Sequence, residues 1–152
     1  MLIKEIRKKG EVHITKVKDM QNFFKDISGY PLNKEIYRVL VIEREHLSYA
    51  ITIIKLGDVN KEFNMTKGHY HSISASEVYY PIKGKGIIIL QKGNDFKKIE
   101  MKKGRFYEIP EGYAHRTINT GDKDLEVLNI YTSNSGHDYK KIEKEGFKKR
   151  FY

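Results

Sequence analysis

The chain has 152 residues, of which 32% are charged, and carries a formal net charge of +9 at pH 7. It contains no cysteine, which excludes disulfides, zinc–thiolate sites, iron–sulfur clusters and cysteine nucleophiles. The length fits one domain with a full hydrophobic core, and we place that domain at residues 1–152 with a barrel core at about 34–132.

Charge and hydropathy also limit the cellular location and the binding partners that we expect. The first twenty positions are rich in Lys, Arg and Glu, so they hold no apolar signal-peptide core, and no stretch reaches the ~18 apolar residues of a membrane span. We therefore expect a cytoplasmic protein without membrane contact. Basic residues are interleaved with acidic ones and no DNA- or RNA-binding module is recognisable, so we expect no nucleic-acid partner. A positive field would still attract a small phosphorylated substrate.

The first predicted elements are a strand and a helix. Alternating side chains in residues 11–15 predict a short edge strand, with His13 on the surface. Apolar side chains recur at helical spacing within residues 18–27, and Ser28-Gly29 follow. Residues 18–27 therefore predict a short helix packed over the barrel.

From residue 36 onward the chain reads as short strands. These segments are rich in β-branched and aromatic residues and are separated by Gly, Asn and Asp turns. The predicted strands are 36–44, 48–56, 64–71, 76–82, 87–92, 97–102, 105–109, 115–119 and 125–131. Such a series predicts an all-β barrel or jelly roll. In the tail, Asp138 and Gly146 are placed to begin and end a helical turn.

Three histidines and a glutamate have the chemistry of a metal site. His69 and His71 are two positions apart, so on a β-strand both imidazoles would point to the same side. Glu77 on the next strand and His115 on a later one would complete a site for a divalent metal, with positions left for water or substrate. A single histidine is more often structural, and the combination is what indicates a metal.

These residues fall into two spaced motifs. The first comprises His69-x-His71, five residues, Glu77, six residues and Gly84. The second comprises Gly104, five residues, Pro110-x-Gly112, two residues, His115, three residues and Asn119. Together they resemble the paired motifs of the cupin superfamily, although the spacer before Glu77 is one or two residues longer than in most cupins. The resemblance implies an all-β cupin jelly-roll β-barrel, here with a short N-terminal helix and a C-terminal tail.

A second set of segments extends the resemblance over nearly the whole chain. It comprises Thr66-Lys67-Gly68-His69-Tyr70-His71, Glu77-Val78-Tyr79, Lys83-Gly84-Lys85-Gly86, Ala114-His115-Arg116-Thr117-Ile118-Asn119, Ile130-Tyr131 and Ser135-Gly136-His137-Asp138-Tyr139. These look like the cupin-type phosphoglucose (glucose-6-phosphate) isomerases of archaea. The spacer between His71 and Glu77 is one residue shorter than in that family, and both termini are shorter.

The resemblance implies an activity and a cofactor. The reaction would be the reversible conversion of glucose 6-phosphate to fructose 6-phosphate, a step of glycolysis and gluconeogenesis, through an enediol or a direct hydride shift. One divalent metal ion, Fe²⁺ first, with Mn²⁺, Ni²⁺ or Zn²⁺ also open, would be held by His69, His71, Glu77 and His115. Glu77 would also take the C2 proton on the enediol route, and His137 would act as a proton shuttle.

The same resemblance implies the substrate contacts. The phosphate-binding residues are Thr52, Thr66, Gly68 through its backbone N–H, and Tyr131, and the sugar-binding residues are Tyr79 and Tyr139. Hydroxyl and amide donors suit a phosphate dianion at close range. A homodimer formed through exposed strands is implied as well.

Other functions stay open, because a fold does not determine an activity. A cupin with these ligands can be another metalloenzyme, such as a dioxygenase or a sugar-phosphate epimerase. It can also be a protein that binds a sugar phosphate without catalysis.

Overall fold

The computed structural model of the protein describes residues 1–73 and 75–152. Strands dominate, with a helix near each end of the chain. The elements are α1 Leu2–Lys9, β1 Glu11–Lys16, β2 Glu35–Ile42, β3 Leu47–Ile54, β4 Asp58–Val59, β5 Glu62–Phe63, β6 Glu77–Lys83, β7 Gly86–Lys92, β8 Asp95–Met101, β9 Tyr107–Ile109, β10 Ala114–Asn119, β11 Leu125–Thr132 and α2 Tyr139–Glu145. A 3-10 helix, Val17–Met20, follows β1.

Two antiparallel sheets form the barrel. The larger has the order β1-β2-β3-β11-β6-β9, the smaller has the order β10-β7-β8, and β4 pairs with β5. Buried residues from both sheets, including Ile54, Leu125, Ile88 and Ile118, belong to one apolar cluster. The inner faces of the sheets therefore pack on each other, and the predicted all-β cupin jelly-roll barrel is confirmed.

Helix α1 covers part of the outer face of the larger sheet. Its Ile6 is fully buried and packs with Ile51 of β3 and Leu128 of β11. Arg7 pairs with Glu126 on β11 and fixes the helix to the sheet. The N-terminal helix thus lies before β1. None of the helices in the described part of the chain is long and apolar enough to cross a membrane.

The helix predicted at residues 18–27 is wrong. Only Val17–Met20 is helical there, as a 3-10 turn, and the chain continues in turns. The Asp26 carboxylate accepts the backbone N–H of Ser28 at 2.8 Å, which offers the backbone an alternative to helical bonding. The backbone N–H of Lys25 donates to the buried Glu62 at 2.8 Å. The apolar residues of this segment still reach the core.

The strand predicted at residues 64–71 is also wrong as a continuous element. Only isolated bridges occur, between Met65 and Ile118, between His69 and His115, and between Tyr70 and Asp138. Gly68 lies between the first two bridges with φ of 75°, a left-handed conformation that interrupts a strand.

The other predicted elements are confirmed, most of them to within two residues. The edge strand is β1, paired with β2. The helical turn in the tail is α2, where the Asp138 carboxylate accepts the backbone N–H of Lys141 at 3.0 Å and Gly146 ends the helix. The short strands β4 and β5 were not predicted.

Candidate metal centre and substrate cavity

His69 and His115 are bridged neighbours in the barrel wall. Their backbones form a two-way bridge, with N to O distances of 3.2 and 3.1 Å. Their ring centroids are 4.3 Å apart. The segment after Gly68 therefore delivers one imidazole next to the imidazole of β10, as an antiparallel bridge does with paired side chains.

Glu77 is the first residue of β6 and lies beside two of the imidazoles. Its Oε2 is 3.1 Å from Nε2 of His71 and 3.0 Å from Nε2 of His115. Nδ1 of His71 is 3.1 Å from the carbonyl oxygen of Ala75, which makes Nδ1 the protonated nitrogen and leaves Nε2 free to act as a ligand. The rings of His69 and His71 stack with their centroids 5.3 Å apart. Both imidazoles therefore point to the same side, as predicted, although this segment is not a strand.

The donor atoms of this cluster fit a divalent cation. The ligand atoms of His69, His71, Glu77 and His115 lie within 4.8 Å of one another. Nε2 of His69 and both ring nitrogens of His115 are buried without a hydrogen-bond partner among the described residues, although Nε2 of His115 is close to Glu77. Buried polar atoms normally have partners, and a metal would supply them.

The protonation states of the cluster suit metal binding as well. Burial, followed by the neighbouring imidazoles, lowers the pKa of His69 well below its usual value. Burial raises the pKa of the Glu77 carboxyl, but contacts with His115 and His71 outweigh it and bring the pKa to about 2. A neutral imidazole and an ionised carboxylate are the forms that bind a metal.

The cluster lies in the wall of a cavity of about 310 Å³ between the sheets. This size is within the range of small-molecule sites. All of the predicted site residues except His71 line it, namely Thr52, Thr66, Gly68, His69, Glu77, Tyr79, His115, Tyr131, His137 and Tyr139. The structure therefore brings the predicted metal, phosphate and sugar residues to one cavity, with His71 joined to it through Glu77.

Two of the predicted phosphate residues already have protein partners. The buried Thr52 hydroxyl donates to Oδ1 of Asn129 at 2.7 Å. The Thr66 hydroxyl oxygen accepts the backbone N–H of Thr117 at 3.1 Å. With its proton given to Asn129, the Thr52 hydroxyl can only accept further hydrogen bonds, whereas the Thr66 hydroxyl still has its proton to donate.

Aromatic side chains line the cavity beside the cluster. The His137 ring is 4.3 Å from the His69 ring and stacks on Tyr139 at 5.7 Å. Burial raises the pKa of Tyr131 to about 12, with the Glu77 charge as the second cause. Burial and Glu77 also raise the pKa of Tyr79 well above its usual value. Both phenols therefore remain protonated at neutral pH and are available as hydrogen-bond donors.

The cavity has further lining residues that the sequence analysis did not assign. They are Glu11, His13, Tyr37, Val39, Val41, Glu43, Ala50 and Asn129. His13 is half exposed, as predicted, but it also faces the cavity from β1. The signal that could have found several of these residues is the alternation along β1, β2 and β3, which places every second side chain on the inner face.

Comparison with known proteins assigns the chain to a family. The family model described as Glucose-6-phosphate isomerase (GPI) matches residues 15–151. The chain belongs to the glucose-6-phosphate isomerase family. Curated relatives of the chain carry that name, and two of them serve as examples. The one from Thermococcus litoralis is 41% identical, with 90% of this chain and 77% of the relative covered. The one from Pyrococcus abyssi is 40% identical, with 90% and 78% covered.

Solved structures support the fold of this glucose-6-phosphate isomerase family member. The formate complex of oxalate decarboxylase from Lactobacillus farciminis matches 87% of this chain and 33% of that chain, with a TM-score of 0.60 and 18% identity. At that identity the match shows the shared barrel alone.

Proposed function

We propose that this chain is a metal-dependent aldose–ketose isomerase that interconverts glucose 6-phosphate and fructose 6-phosphate. The observation that carries the proposal is the single cavity, which holds a three-imidazole, one-carboxylate cluster in one part of its wall and hydroxyl and amide groups in another. The family relatives named glucose-6-phosphate isomerase support the same reaction.

The residues that would hold the metal ion are His69, His71, Glu77 and His115. Three nitrogens and one carboxylate oxygen suit Fe²⁺, Mn²⁺, Ni²⁺ or Zn²⁺, and we propose Fe²⁺ as the native ion. A bound ion would supply Lewis-acid polarisation of the sugar oxygens at C1 and C2.

The phosphate end of the substrate would be held by neutral donors. Gly68 offers its backbone N–H, and Thr66 and Tyr131 offer hydroxyl protons at the cavity wall. Thr52 of β3 would join this group by turning its hydroxyl proton from Asn129 to the phosphate. Hydrogen bonds to a charged phosphate are stronger than those between neutral groups, so the phosphate would set the position of the sugar chain.

The proton movements fall to Glu77 and His137. On the enediol route, a Glu77 oxygen takes the proton from C2 and returns it to C1, while His137 passes a proton between the oxygens of C1 and C2. Glu77 would have to loosen from a bound metal ion to do so, because a carboxylate bound to a cation is a weaker base. Tyr79 and Tyr139 would orient the sugar hydroxyls between these groups. A direct hydride shift would use the same binding residues without a base.

A coupled assay on glucose 6-phosphate tests the proposal. Activity should disappear after chelation and return when a single divalent metal is added back. Turnover that is indifferent to the chelator would contradict the metal mechanism. Oxygen consumption with a sugar phosphate would instead favour a dioxygenase, and tight binding without turnover in the metal-loaded protein would favour a sugar-phosphate sensor.

We also propose that the protein forms a homodimer. β1 is an edge strand of the larger sheet, and its Val12 and Ile14 are 49% and 44% exposed. An apolar edge strand is a surface that pairs readily with another chain. Light scattering coupled to size-exclusion chromatography would give the mass of the particle, and a monomer at micromolar concentration would contradict the proposal.

A further inference from the structure

Arg116 lies directly behind the turn that carries Thr66 and Gly68. It follows His115 on β10, and its side chain points to the opposite face of the strand. The residue is 4% exposed. Its Nη2 and Nε donate to the carbonyl oxygen of Lys67 at 2.7 and 3.2 Å, and the guanidinium carbon is 4.5 Å from the centre of the Phe147 ring. Arg116 therefore binds the turn from the side away from the cavity.

The hydrogen bonds from Arg116 to the Lys67 carbonyl determine the direction of the Gly68 N–H. The described chain contains no cis peptide bond, so the carbonyl of Lys67 and the N–H of Gly68 point in opposite directions. With the carbonyl turned toward Arg116, the N–H is turned toward the cavity, whose wall includes Gly68. No hydrogen bond from this N–H to another described residue is found. The donor is thus available to a ligand.

The turn has little freedom to adopt another arrangement. Gly68 has φ of 75°, and a Cβ atom there would lie 2.7 Å from Cε2 of Phe147 and 2.9 Å from the carbonyl oxygen of His115. The backbone of Gly68 therefore packs closely against the stacked side chains of Arg116 and Phe147, which form a layer behind it. A change in this layer is transmitted to the Gly68 peptide.

The charge of Arg116 is buried without a carboxylate bonded to it. Within the described part of the chain its hydrogen bonds go to a carbonyl, while the buried Glu62 pairs with Arg150 at 2.8 Å. Burial lowers the pKa of Arg116 to about 9, which leaves the guanidinium charged at neutral pH. A cation bonded to a peptide carbonyl polarises the peptide and strengthens its N–H as a donor.

We propose that Arg116 is a positioning residue for the phosphate of the substrate. It orients the Lys67–Gly68 peptide and strengthens the Gly68 N–H that meets the phosphate. The inference rests on the proposed function, since it assumes that a phosphorylated sugar occupies the cavity. It adds a specific consequence, which is that Arg116 acts on affinity for the phosphorylated end and leaves the chemistry at C1 and C2 unaffected.

Calorimetric titration with 6-phosphogluconate and gluconate separates the phosphate end from the rest of the ligand. In the metal-loaded Arg116→Met protein, we expect affinity for 6-phosphogluconate to fall by about tenfold, while affinity for gluconate stays within about twofold. KM for fructose 6-phosphate should rise by a similar factor with kcat nearly unchanged. Arg150→Met is the matched control, and it should lower the melting temperature and leave both affinities unchanged.

Two results overturn the inference. One is unchanged binding of 6-phosphogluconate, and the other is an equal loss for both ligands together with a fall in kcat, which a general structural role would give. If Arg116→Met does not fold, Arg116→Lys decides, because its ammonium is a point charge that lacks the planar two-nitrogen fork of Arg. That variant should lose several-fold affinity for 6-phosphogluconate alone, and wild-type affinity overturns the inference. If the wild-type protein binds neither ligand and turns over no sugar phosphate, the proposed function itself fails.

Discussion

Nε2 of His69 and both ring nitrogens of His115 are buried in the barrel wall. They have no hydrogen-bond partner among the described residues, and leaving a buried polar group unpaired costs about 1–3 kcal/mol. Glu77 contacts one of these imidazoles and that of His71. The unpaired nitrogens therefore lower the stability of the barrel, and a bound ligand such as a metal ion would supply the partners that they lack.

Glu77→Gln tests this arrangement. We expect metal affinity to fall and kcat to drop by at least about 100-fold, because the amide is neutral and cannot accept the C2 proton. Metal content by plasma mass spectrometry and the coupled assay give the two readouts. Glu62→Gln is the control, since Glu62 is an equally buried carboxylate that pairs with Arg150 outside the cavity. A Glu77→Gln protein that kept its metal and full activity would remove Glu77 from the mechanism.

Elements with a repeating residue pattern could be predicted from the sequence, whereas elements that depend on tertiary contacts could not. Strand alternation and turn residues predicted the barrel strands, and two motif spacings predicted the cluster of His69, His71, Glu77 and His115. Residues 18–27 kept the predicted apolar positions but not the helix, because side chains of Asp26 and Glu62 bond the backbone there. Residues 64–71 kept the predicted histidine geometry but not the strand, because Gly68 turns the chain.

The missed elements and residues have similar explanations. Helix α1 is short and dense in charge, and its few apolar residues gain their meaning only from the sheet face that they cover. Asn129 reads as an isolated polar residue in a strand, and only its contact with Thr52 shows that it orients a cavity hydroxyl. Arg116 belongs to a matched segment, yet its contact with Lys67 is visible only in three dimensions.

Asp138 links an element to the site, because it caps α2 between His137 and Tyr139. Asp138→Ala should lower the free energy of unfolding by about 1 kcal/mol through loss of the cap. It should also raise KM, since both neighbouring residues line the cavity. Urea unfolding and steady-state kinetics provide the measurements. Asp138→Asn keeps an equally good cap and should behave like the wild type, and equal losses in the two variants would count against the capping role.

The larger sheet carries partly exposed ion pairs on and beside its strands. Arg38 donates to Glu35 through two nitrogens at 2.6 Å, and Lys55 pairs with Asp124 at 3.0 Å. The hydrogen bonds with Arg38 are the main reason that the pKa of Glu35 lies below 4.5. A carboxylate with a lowered pKa in the folded state stabilises the fold above its unfolded pKa, and that contribution is lost as the pH falls through the folded value.

Acid should therefore weaken the fold in part through Glu35. For the metal-free protein, we expect urea unfolding to give a smaller free energy at pH 3 than at pH 7. In Glu35→Gln the difference between the two pH values should shrink, by less than about 1 kcal/mol because the pair is partly solvated. Glu100→Gln, at an exposed position on β8, is the control and should leave the difference unchanged. An unchanged difference in Glu35→Gln would contradict the assignment.

Phosphorus NMR of the metal-loaded protein with its two proposed substrates tests whether it interconverts them. Starting from glucose 6-phosphate or from fructose 6-phosphate, the spectra should converge on the same ratio of the two sugar phosphates, as a reversible isomerase requires. Added chelator should stop the approach to that ratio. Spectra that stay unchanged in the presence of fully metal-loaded protein would contradict the account.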